Sequence, residues 1–351
     1  MYLLLNFNLK IIFNTMLIFW IIVFVISLFV LVKGADWLIE SAEKIGLALG
    51  LSPFIVGVTI VGIGTSLPEL FSSFIAVMQN VSEVVVANAV GSNIANILLI
   101  VGFSALIGKK LIVSKSLINL DLPLLALSTA LMLGVLWDQQ ITLGESILML
   151  ATYGIYLLYT VMHKERDDSP ADEDEARIRR EEAELKKDVL EDLELKANTV
   201  RPKLKVKDFV MLAVGLVGLV FGAKYLIDSL INLSSLLNIG VGVISITAVA
   251  IGTSLPELLV SVRAALQKKS EIALGNIFGS NVFNALVVVG LPGLVGKLSV
   301  DTQTFAIGVP VMAMATLLFV ISGISKKIYL WEGAFFLALY VLFVAKLFNW
   351  F

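Results

Sequence analysis

Ile63-Gly64-Thr65-Ser66-Leu67-Pro68-Glu69-Leu70 occurs twice, because residues 251–258 repeat all eight 188 positions later. At the same offset, Gly91-Ser92-Asn93-Ile94-Ala95-Asn96 matches Gly279-Ser280-Asn281-Val282-Phe283-Asn284, Gly34-Ala35 matches Gly222-Ala223, and Glu40 aligns with Asp228. One gapless offset that serves separated motifs marks an internal repeat. Each copy of the octapeptide lies within an apolar stretch. There proline removes a helical hydrogen bond and crowds the turn before it. The helix is therefore expected to break at Pro68 and at Pro256. Backbone carbonyls freed at membrane depth are tolerated only where they line a cavity or bind something.

The surroundings are those of an integral membrane protein. The chain has 351 residues, of which 58% are hydrophobic and only 15% charged, with a mean hydropathy of +0.95. An ordinary soluble domain carries about 25% charged residues. Of the 54 charged residues, 27 fall between His163 and Asp208, so one solvated segment separates two apolar halves. A spanning helix needs about 20 mostly apolar residues. Ten such runs lie near 16–33, 53–78, 83–107, 120–137, 142–162, 209–230, 241–266, 272–295, 303–322 and 328–349. Runs such as Met16 to Val32 do not alternate in polarity, which excludes a β-barrel. The expected fold is all-α and integral to the membrane, with ten transmembrane helices. Five spans per half make the second half enter from the opposite side, so the halves form two inverted five-helix repeats, the arrangement of transporters with a midplane site.

The expected organisation is an N-terminal extension at 1–15, a first five-helix repeat at 16–162 with its motifs at 62–96, a charged linker at 163–207, and a second repeat at 208–351 with its motifs at 250–284. The N-terminal run lacks a small-residue cleavage site after Leu31 and does not read as a cleaved signal. Lys109, Lys110, Lys115, Arg263, Lys268, Lys269, Lys326 and Lys327 fall in loops on the same side as the 12 basic residues of the central segment. The positive-inside rule places that side in the cytoplasm and both termini outside. Ser169-Pro170 is a helix start. Glu173–Arg177, Glu175–Arg179, Glu182–Lys186 and Asp192–Lys196 are favourable i,i+4 pairs, so a cytoplasmic helix is expected near 170–197. It reads as a solvated linker, with a regulatory cation sensor as the alternative.

Composition narrows the chemistry. Cysteine is absent, and His163 is the single histidine, which excludes disulfides, thiolate sites and histidine-rich metal centres. The net charge of −2 gives no support for nucleic-acid binding. What the repeats offer is oxygen. Thr65, Ser66 and Glu69 recur as Thr253, Ser254 and Glu257, and Ser92 and Asn96, spaced i,i+4, recur as Ser280 and Asn284. A carboxylate within a span marks a functional site by default. Two glutamates neutralise one divalent ion, and an all-oxygen set suits a hard cation such as calcium. Asp36, Glu40 and Asp228 lie past the end of an apolar run and read as interfacial anchors rather than transport residues. His163 reads as an interface residue.

These motifs resemble the two α-repeats of the cation/calcium exchanger superfamily, and are most similar to its prokaryotic sodium/calcium exchangers. The resemblance covers nearly the whole chain apart from residues 1–15 and the central segment. It implies ten helices, alternating access, and exchange of sodium for calcium at four clustered central sites. It also implies that the helices of spans one and six slide as a gate. By position, the implied ligands are Glu69, Glu257, Thr65, Thr253, Ser66, Ser254, Ser92, Ser280, Asn96 and Asn284, joined by the carbonyls of Gly62 and Ala250. One departure concerns Asn284, since potassium-dependent relatives and an archaeal sodium/calcium exchanger carry aspartate there. The amide leaves stoichiometry open and argues against potassium co-transport.

The function expected is secondary sodium/calcium antiport at the plasma membrane by a monomer, with Ca2+ and Na+ as cargo and no cofactor. Proton/calcium antiport, with Glu69 and Glu257 as proton carriers, is the alternative. A cation channel is a distant one, because broken helices in an inverted repeat fit alternating access better than a pore. No nucleophile–base pair supports an intramembrane enzyme.

Overall fold

The computed structural model describes residues 2–108, 110–112, 121–162, 204–237, 252, 254–325 and 327–347. Among them the chain forms ten helices: α1 (Tyr2–Leu49), α2 (Pro53–Met78), α3 (Glu83–Gly108), α4 (Leu122–Asp138), α5 (Leu143–Met162), α6 (Val206–Leu237), α7 (Leu255–Leu266), α8 (Ser270–Gly293), α9 (Thr304–Ile324) and α10 (Leu330–Leu347). Seven of these contain stretches long and apolar enough to cross a membrane, and α4 is a shorter apolar helix. The first half of the span expected at 241–266, with Ala250 and Thr253, lies outside the described residues. So do His163 and the helix expected near 170–197.

Two short ribbons show the inversion of the repeats directly. β1 (Lys110–Ile112) pairs antiparallel with β4 (Lys327–Tyr329), and β2 (Gln140–Ile141) with β3 (Leu298–Ser299). Shifted by 188 residues, β1 falls on β3 and β2 falls within β4. The operation that superposes the halves thus exchanges the two ribbons. They lie at opposite ends of the bundle. β1 follows the end of α3, whereas at its start Ser82 Oγ lies 3.1 Å from Ser299 Oγ, and 26 helical residues span about 39 Å.

α8 is enclosed along its whole spanning window and α3 along most of its own. They anchor a large apolar cluster with α4, α5, α9 and α10, in which Phe278 packs against Phe54 and Phe319. α1 and α6 form a second layer, where Leu31, Leu38 and Ile39 meet Leu219 and Leu226. Their backbones nearly touch: a Cβ on Gly34 would sit 2.9 Å from the Gly215 carbonyl oxygen, and one on Gly215 would sit 2.8 Å from the Leu38 nitrogen. Small residues at a crossing allow this approach between membrane helices.

α1 departs from expectation at both ends. Its backbone is already helical through residues 2–15, before Met16, and it runs on past Lys33 to Leu49. Asp36 therefore lies within the continuing helix, with its side chain part-buried against α7. The Arg263 guanidinium holds its carboxylate with bonds of 2.5 and 2.8 Å, and Gln267 adds a bond of 3.2 Å. Lys269 pairs with Glu43 at 2.5 Å, and Lys44 with Asp208 at 2.6 Å. Four ion pairs, Lys33–Asp36, Lys44–Asp208, Arg263–Asp36 and Lys269–Glu43, each include a residue of this part of α1. The charges that looked like the end of a span are neutralised by partners more than 160 residues away in sequence. Glu40 is exposed and Asp228 is half-buried.

Candidate ion-binding site

Local sequence explains the shape of each repeated motif. α2 starts at Pro53, with the Ser52 hydroxyl accepting from the Ile55 N–H. It passes through a π-helical turn at Gly57–Val61 and is interrupted at Ser66, whose φ of −89° and ψ of 4° are not helical. A new segment begins at Leu67, with Pro68 and Glu69 in its first turn. Proline is tolerated there because that turn has no N–H partner to lose. Glu69 profits from the positive end of the restarted helix. The second copy repeats the break: Ser254 has φ −87° and ψ 7°, and Pro256 and Glu257 open α7. α3 and α8 contain π-helical turns at Ala95–Val101 and Asn284–Val288, immediately after the Gly-Ser-Asn motifs. Such bulges recur at functional sites.

The two motifs meet across the repeat boundary. Ser66 Oγ donates to Glu257 Oε1 at 3.0 Å, and Ser280 Oγ donates to the Gly62 carbonyl at 3.3 Å. The same carbonyl accepts the Ser66 N–H at 3.2 Å, and the Thr65 hydroxyl, which donates to Asn276 Oδ1 at 3.1 Å, lies 3.4 Å from it. The Gly62 oxygen is therefore a junction of the two halves rather than a free group. Thr65, Ser66, Glu69, Ser92, Asn96, Ser254, Glu257, Ser280 and Asn284 are all buried, Glu69 to 0% and Glu257 to 1% exposure.

Several of these groups have no hydrogen-bond partner among the described residues. They are both amide atoms of Asn96, both amide atoms of Asn284, Ser254 Oγ and Glu257 Oε2. A buried polar atom left unmatched costs about 1–3 kcal/mol. Their concentration in the repeated motifs is what a site that receives a ligand from outside the protein would show. The donor set is carboxylate, hydroxyl and amide oxygen, which fits calcium and sodium. Among the described residues no group of three or more His, Cys, Asp or Glu side chains could hold a metal.

Other repeated residues carry structure rather than site chemistry. Asn93 donates to the Asn281 carbonyl at 3.2 Å, joining α3 to α8, and Asn281 donates within α8 to the Ile277 carbonyl at 2.6 Å. Asn88 and Asn276 were not singled out from the sequence, although they too are 188 residues apart. The Asn88 amide nitrogen donates to the Glu69 carbonyl at 3.3 Å and to the hydroxyls of Ser72 and Ser73. That of Asn276 donates to the Glu257 carbonyl at 3.3 Å and to Ser261 Oγ at 2.9 Å. A cavity of about 280 Å³ opens against both kink prolines, Pro68 and Pro256. α6 walls it with Val220, Ala223, Lys224 and Ile227.

Comparison with known proteins agrees with this geometry. Residues 19–162 and 207–349 match the family described as sodium/calcium exchanger protein, one segment for each repeat. The chain is 33% identical to sodium/calcium exchanger MaX1 of Methanosarcina acetivorans over 93% of its own length and 98% of that protein. It is 31% identical to the inner membrane protein YrbG of Escherichia coli over 84% and 86%. A solved structure of the sodium-calcium exchanger NCX_Mj superposes with a TM-score of 0.75 at 29% identity, covering 94% of this chain and 99% of that one. With the octapeptide repeated, the ribbons exchanged and each repeat matched by its own segment, the chain belongs to the sodium/calcium exchanger family, a multi-pass membrane protein of ten helices in two inverted repeats.

Proposed function

We propose that the chain exchanges sodium for calcium across the membrane, and that the ions bind between the two broken helices. The observation that carries this reading is the buried oxygen cluster at the repeat boundary, with two glutamates and unmatched amide and hydroxyl atoms. Glu69 and Glu257 balance the charge of one calcium ion. Thr65, Ser66, Ser92, Asn96 and their counterparts Thr253, Ser254, Ser280 and Asn284 complete the shell, with the carbonyls of Gly62 and Ala250. On ion entry the hydroxyls that now bridge the repeats, those of Ser66 and Ser280, turn their lone pairs to the cation.

The layered packing supports alternating access. α1 and α6 adhere closely to each other through small residues, so they can move as a pair over the prolines. The ion pairs of α1 fasten it at one end, and the basic loops support a cytoplasmic location for that end, with both termini outside. Lys224 lies beyond the helix crossing, away from those ion pairs, so the cavity at Pro68 and Pro256 faces the opposite side. The linker at 163–207 is a cytoplasmic connection between the repeats.

The test is equilibrium calcium binding to the purified protein. Sodium at constant ionic strength should displace calcium competitively, whereas a change of pH from 6.5 to 8 should displace little. Displacement by protons and not by sodium would replace this reading with proton/calcium antiport.

A further inference from the structure

Asn276 uses both ends of its amide across the repeat boundary. It is fully buried. Its nitrogen donates to the Glu257 carbonyl and to Ser261 within its own repeat, while its Oδ1 accepts the hydroxyl of Thr65 from the other repeat at 3.1 Å. An amide is suited to this, since it offers a carbonyl acceptor and two N–H donors in one plane. By accepting the Thr65 proton, Asn276 leaves the Thr65 oxygen with its lone pairs free for a cation. By donating to the Glu257 carbonyl, it fixes the turn that carries the carboxylate. Asn88 makes the corresponding bonds to Glu69, Ser72 and Ser73 in the first repeat.

We propose that Asn276 is a positioning residue that presents the Thr65 hydroxyl to the transported ion and couples it to the helix turn bearing Glu257. Asn88 does the own-repeat half of the same work for Glu69. The inference rests on Thr65 being an ion ligand. It assigns to Asn276 no ion contact, only the orientation of groups that make one.

The experiment is a double-mutant cycle read by equilibrium calcium and sodium binding to the purified full chain. Asn276→Leu keeps the side-chain volume and removes every polar bond. Thr65→Val does the same for the hydroxyl. Each alone should weaken binding about tenfold, and the double variant should also lose about tenfold rather than a hundredfold, since residues that act through one contact are not additive. Ser261→Ala, which removes one nitrogen partner only, should leave the Thr65 effect at full size. If Asn276→Leu does not fold, Asn276→Ser replaces it in the same cycle. Independent losses that multiply to about a hundredfold would overturn the proposal, as would an Asn276 variant with parental affinity while Thr65→Val is impaired. A Thr65→Val variant that binds normally would instead remove Thr65 from the ion shell and take the proposal's premise with it.

Discussion

Gly57→Ala is a sensitive test of how the repeats must meet to form the site. Gly57 lies in the π-helical turn of α2, where that helix crosses α8. A Cβ there would sit 2.7 Å from the Ile272 carbonyl oxygen, 2.9 Å from Gly275 Cα and 3.0 Å from the Asn276 nitrogen. All three obstacles are backbone, so no side chain can swing aside. To reach ordinary van der Waals contact the two helices must part by about 0.7 Å. The bonds of 3.3 Å from Ser280 to Gly62 and of 3.1 Å from Thr65 to Asn276 span the same crossing. Both would stretch past hydrogen-bonding reach. Overpacking costs about 1–3 kcal/mol and each lost bond about 1 kcal/mol, against about 1 kcal/mol gained from replacing glycine in a helix. The expected net loss is about 2–4 kcal/mol of stability. Calcium affinity should fall about tenfold or more, since 1.4 kcal/mol is one decade. The assay is thermal unfolding together with calcium binding, with Gly154→Ala as control. Gly154 is an exposed helical glycine with no described atom within 4 Å of its added Cβ. A Gly57→Ala protein as stable and as tight-binding as the parent would refute the claim that this crossing sets the site.

Other perturbations test separate parts of the structure. Glu257→Gln should abolish calcium binding while the protein still folds, because one of two buried charges that balance the ion is gone; binding at parental affinity would remove Glu257 from the site. Arg263→Ala leaves the Asp36 carboxylate part-buried without its main partner and should cost about 1–2 kcal/mol, discounted because Arg263 is 31% exposed. Exchanging the two charges, Asp36→Arg with Arg263→Asp, should recover most of it in a thermal melt, and no recovery would mean that the pair is not the source of the loss. The chain has no cysteine of its own, so Gln139→Cys and Ala183→Cys can each be labelled singly; reagent should reach the first only from outside and the second only from the cytoplasm, and labelling of both from one side would contradict the proposed orientation.

Much of this architecture was legible because the sequence states it twice. The offset of 188 residues aligned the breaks at Ser66 and Ser254, the carboxylates of Glu69 and Glu257, and the amides of Asn96 and Asn284, and the odd number of spans required inversion. Asn88 and Asn276 sit at the same offset and could have been read the same way. A lone asparagine in an apolar helix, however, carries no local signature. The π-helical turns have none either, since they arise where helices packed on neighbours accommodate an extra residue. The true length of α1 was hidden for an electrostatic reason. Lys33, Asp36 and Lys44 look like the end of an apolar run until Arg263 and Asp208, distant in sequence, are seen to neutralise Asp36 and Lys44. The exchange of ribbons required knowing which loops meet, which periodicity does not tell.

The most direct measurement is calcium flux into proteoliposomes holding the purified chain, driven in turn by a sodium gradient and by a proton gradient of equal size. An outward sodium gradient should drive calcium uptake, uptake should be lost in Glu257→Gln, and the proton gradient alone should drive none. Calcium uptake that follows the proton gradient and ignores sodium would contradict sodium/calcium exchange at this site.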